Sequence, residues 1–542
     1  MATRSLGSAA LRQLLAVAHR FDAPSNAAKL AALRALAERP VPTGQALLRY
    51  HEALLFTAAH PPDAATRRQV EAELRRLARA LKTGHGRHAA ALSGHGLPWV
   101  PTQSRFTHDC VRWLLAHPHA RVTPAGHRQP QLDLNAVLRL TLPTLERGAT
   151  SAGLDHDALL HTLGVPPARR LAFVVNELAR FDQQPYLKDQ LFDALDGYVS
   201  VAPTHAALSK AFNRLDMGGQ VFHQDELLRQ FDPRAQMNRR LPAPRRLDEA
   251  QRDELVRVLK NTMLLTVRET DPATYLDPAA LRLYDLERGL SVALFGMVPA
   301  RQLPLESYVG FTLFKNGFPV SYGGSWVFGE RAAFGMNIFE PYRGGESGFM
   351  MCQVLRAYRQ AFGVRYFEVD AHQFGLDNPD GIASGAYWFY WRHGFRSLTP
   401  ELRQLAERER ALLARQPGRR SSEATLLRFT EANVALNFGG AVPPQVDDFT
   451  ARVTRMIAAD YASDRLAAER DCVTRFTQAA RRGARLNEDE RGVLTEVALL
   501  WRALKVTDAA QTRRLARMVR TKPRDVFAYQ KLLLGWLASR SS

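Results

Sequence analysis

The sequence predicts a multidomain α + α/β protein. A large all-helical N-terminal region is expected over residues 1–287, a mixed-sheet α/β domain over 288–398 and a helical C-terminal region over 399–542. Three observations predict this. The chain has 542 residues, enough for about three domains at roughly 100–200 residues each. Leucine and alanine recur at three- and four-residue spacing through the first half and the last third, the pattern of amphipathic helices. Between residues 290 and 371 this gives way to short apolar runs around Asn316-Gly317, the strongest short hairpin signal.

In chain order, the spacing predicts helices over Ala27–Ala37, Thr43–Ala59 and Asp63–Leu81. In the last of these Val70, Leu74, Leu77 and Leu81 form one stripe. The Gly- and His-rich stretch Thr83–Gly96 reads as a loop. Its His85, His88 and His95 have no nearby cysteine or carboxylate to complete a metal site. Further helices are predicted over Leu132–Glu146, His156–Leu163, Ala168–Phe181 and Tyr186–Ala194. The stretch from Asp216 to Glu226 fails as a calcium loop, because Val221 and Leu227 stand where glycine and glutamate are required. Gln236–Arg246 is basic and Pro-containing and reads as a linker. Asp248 is the expected N-cap of a helix to Thr266.

From Gly289 the predicted order is strand Leu290–Val298, hairpin Tyr308–Lys315 and Phe318–Phe328, then strand Phe334–Phe339. A glycine-rich turn, Tyr342–Gly348, opens a helix with the apolar stripe Met351, Val354, Leu355, Tyr358 and Phe362. A strand Arg365–Ala371 and a very aromatic helix Ala383–His393, stopped by Gly394, complete the unit. From Leu398 onward the chain reads as helical, with a break at Arg415–Ser422. Its helices are expected at Phe449–Ala459, Arg465–Arg481, Glu488–Ala503 and Asp525–Leu537.

That order of elements resembles the GNAT superfamily of N-acetyltransferases over residues 288–398, and two local sequences carry the resemblance. Arg343-Gly344-Gly345-Glu346-Ser347-Gly348 is similar to the family's Arg/Gln-x-x-Gly-x-Gly/Ala turn, with Glu346 in place of the middle glycine. Tyr390-Trp391-Arg392-His393-Gly394-Phe395 is similar to its Tyr-x-x-x-Gly-Phe segment. The resemblance implies that Arg343, Gly344, Gly345, Ser347 and Gly348 hold the pyrophosphate of acetyl-CoA or another acyl-CoA at a helix N-terminus. It implies that backbone N–H groups of Asn337, Ile338 and Phe339 hold the thioester carbonyl, and that Tyr390 protonates the departing thiolate. Glu340, Glu368 and Asp370 are the candidate bases, the last two on one strand face by their two-residue spacing. The implied activity is acyl-CoA-dependent N-acyl transfer to an amine, without a metal. A non-catalytic GNAT-like sensing or scaffold protein is the first alternative. A GNAT-fold transferase taking its acyl group from aminoacyl-tRNA is the second.

Composition bounds these readings. Apolar residues are 46% and charged residues 23% of the chain, which excludes a collagen or a disordered tail. The three cysteines are far apart, as expected in the cytoplasm rather than in a secreted disulfide framework. No run is long and apolar enough for a signal peptide or a membrane span. The formal charge of +19 is open to two readings: an anionic partner such as nucleic acid, or a coding bias toward arginine. Residues 290–396 carry 9 basic and 8 acidic groups, so the surplus lies in the helical flanks and not in the candidate catalytic unit.

Overall fold

The computed structural model describes residues 2–84, 89–480 and 486–541. His85 and His88 of the predicted loop lie outside them. The described chain divides into two compact units. The first comprises residues 1–226, 248–275 and 316–318, and the second residues 227–247, 276–315 and 319–542. The second thus draws together the predicted α/β stretch, the predicted linker and the C-terminal helices. Among the described residues no helix is long and apolar enough to cross a membrane.

The first unit opens with the helix Ala2–Val17 and continues with the helices the spacing predicts. Ala23–Ala37, Gly44–Ala59 and Ala64–Gly84 follow one another, with Val70, Leu74, Leu77 and Leu81 buried. Asp248 caps the helix Glu249–Thr266 through a reciprocal capping box with Gln251. The all-helical expectation fails here, because the unit also contains a three-stranded sheet. Its strands are β1 (Thr102–Ser104), β2 (Ala120–His127) and β3 (Gly197–Pro203), in the order β1-β3-β2. The cause is legible afterwards. Only Val199 and Val201 of β3 are buried inward-facing valines, while β2 carries Pro124 and Gly126, which break a strand pattern.

The second unit is built on an eight-stranded mixed sheet. Its strands are β4 (Leu276–Asp285), β5 (Leu290–Met297), β6 (Ser307–Lys315), β7 (Phe318–Phe328), β8 (Arg331–Ile338), β9 (Tyr366–Val369), β10 (Arg396–Ser397) and β11 (Val434–Asn437). Their order is β10-β11-β9-β8-β7-β6-β5-β4. Three strands, β4, β10 and β11, go beyond the predicted set. The chain after Leu398 is therefore not wholly helical, since β11 inserts between β9 and β10, antiparallel to both. β8 and β9 are parallel, as the crossover helix Ser347–Phe362 between them requires.

That helix buries its predicted stripe of Met351, Val354, Leu355, Tyr358 and Phe362. Tyr358 reaches the sheet, donating to the Val309 carbonyl at 2.6 Å and meeting Phe311 edge to face. The last helix, Val526–Ser541, packs beside it, with Phe527 stacked on Phe362 at 4.9 Å. Gln530 of the same helix donates to Ser307 Oγ and the Val327 carbonyl. Trp536, Tyr529, Phe449 and Phe476 join these C-terminal helices in one apolar core.

Candidate functional site

The two parallel strands at the middle of the sheet stay together only briefly. Pairing between β8 and β9 covers Arg331–Ala333 against Tyr366–Glu368 and then stops, while β8 continues paired to β7 as far as Ile338. The Phe339 N–H donates to the Val320 carbonyl at 3.0 Å. Backbone groups alternate sides along an antiparallel strand. Met336 and Ile338 therefore turn their N–H groups to the edge that β9 has left. Asn337 and Phe339 turn theirs to β7, so the expected donor set Asn337–Phe339 reduces to Ile338, and Met336 joins it.

The chain leaves β8 through a short 3-10 turn at Glu340–Tyr342 and enters the helix at Ser347. Gly344 adopts φ +75°, a left-handed conformation that glycine takes without strain. Exposed Arg343 folds back and donates from Nε to the Ile338 carbonyl at 3.2 Å. The helix start is thus joined to the open strand edge. Glu346 occupies the N-cap position yet makes no cap hydrogen bond. Among the described residues the first-turn N–H groups of Ser347 and Gly348 have no side-chain acceptor, and both residues are half-buried.

The Glu346 carboxylate points inward instead. It lies 2.6 Å from Arg288 Nη2, accepts the Leu228 N–H at 3.0 Å and stands 3.5 Å from Lys315 Nζ. Lys315 also donates to the Arg288 carbonyl at 2.6 Å. Burial works against ionisation of Glu346, but Lys315, the Leu228 N–H and Arg288 outweigh it and hold the acid below its usual range. Burial pulls the Lys315 ammonium the other way, down to about 8, with Glu346 partly offsetting it. The Glu346 charge is therefore paired inside the unit, away from the helix start.

The aromatic stretch folds as two short helices, Pro379–Ser384 and Ala386–Arg392, broken at Gly385 with φ +64°. His393 follows the second. Its Nδ1 lies 2.7 Å from the Phe389 carbonyl, so Nδ1 carries the proton and Nε2 is the basic nitrogen. Burial lowers its pKa, keeping the ring neutral near pH 7. The ring lies directly against Gly348, where a Cβ would overlap Nε2 and come 2.7 Å from Cε1. Gly348 thus serves the approach of an imidazole, a role that its spacing did not reveal. Phe231 packs against both Phe349 and His393.

Other predicted residues fall differently. Tyr390 is buried among Phe374, Phe389 and Phe395, and burial raises its phenol pKa. Glu340 is exposed at the end of β8 and has no ion pair among the described residues. Glu368 is held by Arg331 and by Asn433 Nδ2 at 2.7 Å. The predicted strand Arg365–Ala371 ends at Val369, so Asp370 does not share a strand face with Glu368. Its carboxylate accepts the His372 N–H at 2.9 Å and caps the next turn. Among the described residues no group of three or more His, Cys, Asp or Glu is arranged to hold a metal ion. No protein-family model, curated protein or solved structure matches this chain.

Proposed function

We propose that the second unit has a GNAT-like fold and transfers an acyl group from an acyl-CoA to an amine. One observation carries this reading: the central parallel strands part at Ala333, beside the uncapped N-terminus of the helix that joins them. Ligands of open α/β sheets bind at the carboxyl ends of diverging strands, and phosphates bind at helix N-termini. The residues fit a CoA pyrophosphate because the one carboxylate of the turn, Glu346, is directed away and paired. Ser347 and Gly348 N–H with the Arg343 guanidinium would hold the phosphates, and Met336 and Ile338 N–H the acyl carbonyl.

A bound acyl-CoA supplies an activated acyl group and a thiol leaving group. The chain's own part is to orient the acyl carbonyl and to manage protons. Glu340, exposed and without an ion pair, is the base that takes the amine proton. Tyr390, protonated throughout the neutral range because burial raises its pKa, is the donor to the leaving thiolate. Isothermal calorimetry with acetyl-CoA and CoA tests the reading. Micromolar to sub-millimolar binding is expected, and no binding at millimolar cofactor would remove it.

A second reading has its own support. Tyr390 is enclosed by aromatic rings and Glu368 is consumed by Arg331, as in a module that senses the ligand without transferring the acyl group. Binding of acetyl-CoA that survives Tyr390→Phe, with no thiol released in the presence of amines, would favour it.

A further inference from the structure

The second unit also contains an open cavity of about 1140 Å³, away from the parted strands. Its walls come from the aromatic helix Ala386–Arg392, the segment before it, and the helices Pro400–Arg415 and Glu423–Phe429. We propose that this cavity binds an organic anion with an apolar body, headed by a carboxylate or a phosphate. The proposal does not depend on the acyltransferase reading.

The charge of the lining is the first argument. Arg392, Arg410, Arg419 and Arg420 face the cavity, against two carboxylates, Asp377 and Glu423. Arg410 is paired with Glu407 at 3.0 Å, and Arg419 donates to Gln416 at 3.1 Å. The guanidinium groups of Arg392 and Arg420, both exposed, have neither an ion pair nor a hydrogen bond among the described residues. Two guanidinium forks without an acid in one concave site suit the paired oxygens of a carboxylate or phosphate.

The apolar wall is the second argument. Trp388 and Trp391 meet edge to face, 5.6 Å between centroids. Both are fixed: Trp388 Nε1 donates to Ser421 Oγ at 2.9 Å, and the Arg396 guanidinium lies 4.4 Å from the Trp391 ring. Ile382, Leu413 and Leu426 extend this wall. The volume is slightly above the usual range of small-molecule sites, and apolar walls with a few charged groups are what a ligand pocket needs. A water-filled dent of the same size has no use for two fixed indoles beside unpaired arginines. With the Arg410 guanidinium 5.6 Å from the Trp391 ring and both indoles in the same wall, the fitting ligand has one charged end and an apolar remainder.

Octanoate, octyl phosphate and neutral octyl glucoside, each below its micelle concentration, distinguish the outcomes on the full chain. Calorimetry and tryptophan fluorescence read binding. At least one anion is expected to bind, with the glucoside at least tenfold weaker, and the tighter anion identifies the head group. Arg392→Ala/Arg420→Ala is expected to weaken anion binding at least tenfold while urea unfolding is unchanged. Trp388→Phe/Trp391→Phe is expected to remove the fluorescence response. Equal binding of the glucoside, no binding of either anion at millimolar concentration, or unchanged affinity in the arginine variant would overturn the proposal. Arg343→Ala leaves this binding intact, so its outcome is separable from that of CoA binding.

Discussion

Glu346→Gln removes one negative charge from a cluster whose Lys315 and Glu346 are closed to solvent, and the structure sets the size of the response. Lys315 and Glu346 are each at most 1% exposed. Leaving a buried charge without its partner costs about 3–5 kcal/mol when the charge must remain. Lys315 has an escape, because burial has already drawn its pKa to about 8. Losing the proton at pH 7 then adds only about 1.4 kcal/mol, one pKa unit's worth. Arg288 keeps only a neutral amide oxygen as its acceptor, and it is 25% exposed, so water offsets part of the lost charge-assisted bond, worth about 1.5–3 kcal/mol. The expected loss at pH 7 is therefore about 2–4 kcal/mol, below the full price of a stranded ion.

The pH dependence follows in sign. Between the folded value of about 8 and the unfolded 10.5 of Lys315, the unfolded chain binds more protons, so wild-type stability rises with pH over that window. The lysine part of the Glu346→Gln deficit therefore shrinks between pH 7 and 9.5. Glu346→Gln/Lys315→Met removes both charges and should recover at least 1 kcal/mol of the loss, because a buried pair replaced as a pair costs little. Urea unfolding of the full chain, with amide exchange over residues 347–362 to report this unit locally, measures all three. A deficit that Lys315→Met leaves unchanged, or one identical at pH 7 and 9.5, would refute the reasoning.

Gly348→Ala sets the family pattern against the structure: that pattern admits alanine here, whereas the His393 ring leaves no room. A loss of about 1–3 kcal/mol is expected from overpacking, relieved in Gly348→Ala/His393→Ala, and read as a shift in the urea midpoint. Gly323→Ala would drive a Cβ into the Gly335 carbonyl and 2.7 Å from a Phe311 ring carbon. It should prise β7 from β8 and abolish CoA binding with folding, seen as loss of near-ultraviolet circular dichroism. Arg343→Ala should weaken CoA binding about tenfold, one charge-assisted phosphate contact's worth, with unfolding unaffected; equal affinity by calorimetry would remove Arg343 from the site.

Most of the helices were legible because their information is local. The Asp248–Gln251 capping box, the Asn316-Gly317 turn and the stripe from Met351 to Phe362 each lie within one or two turns of chain. β11 was not legible, because Val434–Asn437 is four residues long and becomes a strand only against β9 and β10, whose residues lie far earlier in sequence. β4 hides its alternation behind Asp277-Pro278. At the candidate site the turn was visible, but the fate of its glutamate was not. Its partners Leu228, Arg288 and Lys315 come from three separate stretches that folding alone brings together. His393 gave a weaker signal still, since only its contact with Gly348 explains that glycine.

Pairing also changes what the charge of +19 means. Near the parted strands, Arg288 and Lys315 contribute two positive charges, but Glu346 absorbs their field at short range, and neither is available to a ligand. Arg343 has no carboxylate partner among the described residues and remains the cation of that site. At the indole cavity, Arg392 and Arg420 are likewise without acids. At about 0.15 M salt, charges more than about 8 Å apart are largely screened, so the surplus on the helical flanks adds little to either place. On both proposals, anion affinity in this unit follows the guanidinium groups that lack a carboxylate. By that criterion a nearly neutral stretch of sequence contains one open cation beside the strand gap, while the more basic chain after residue 396 supplies Arg420 to a cavity whose other open cation, Arg392, comes from the neutral stretch.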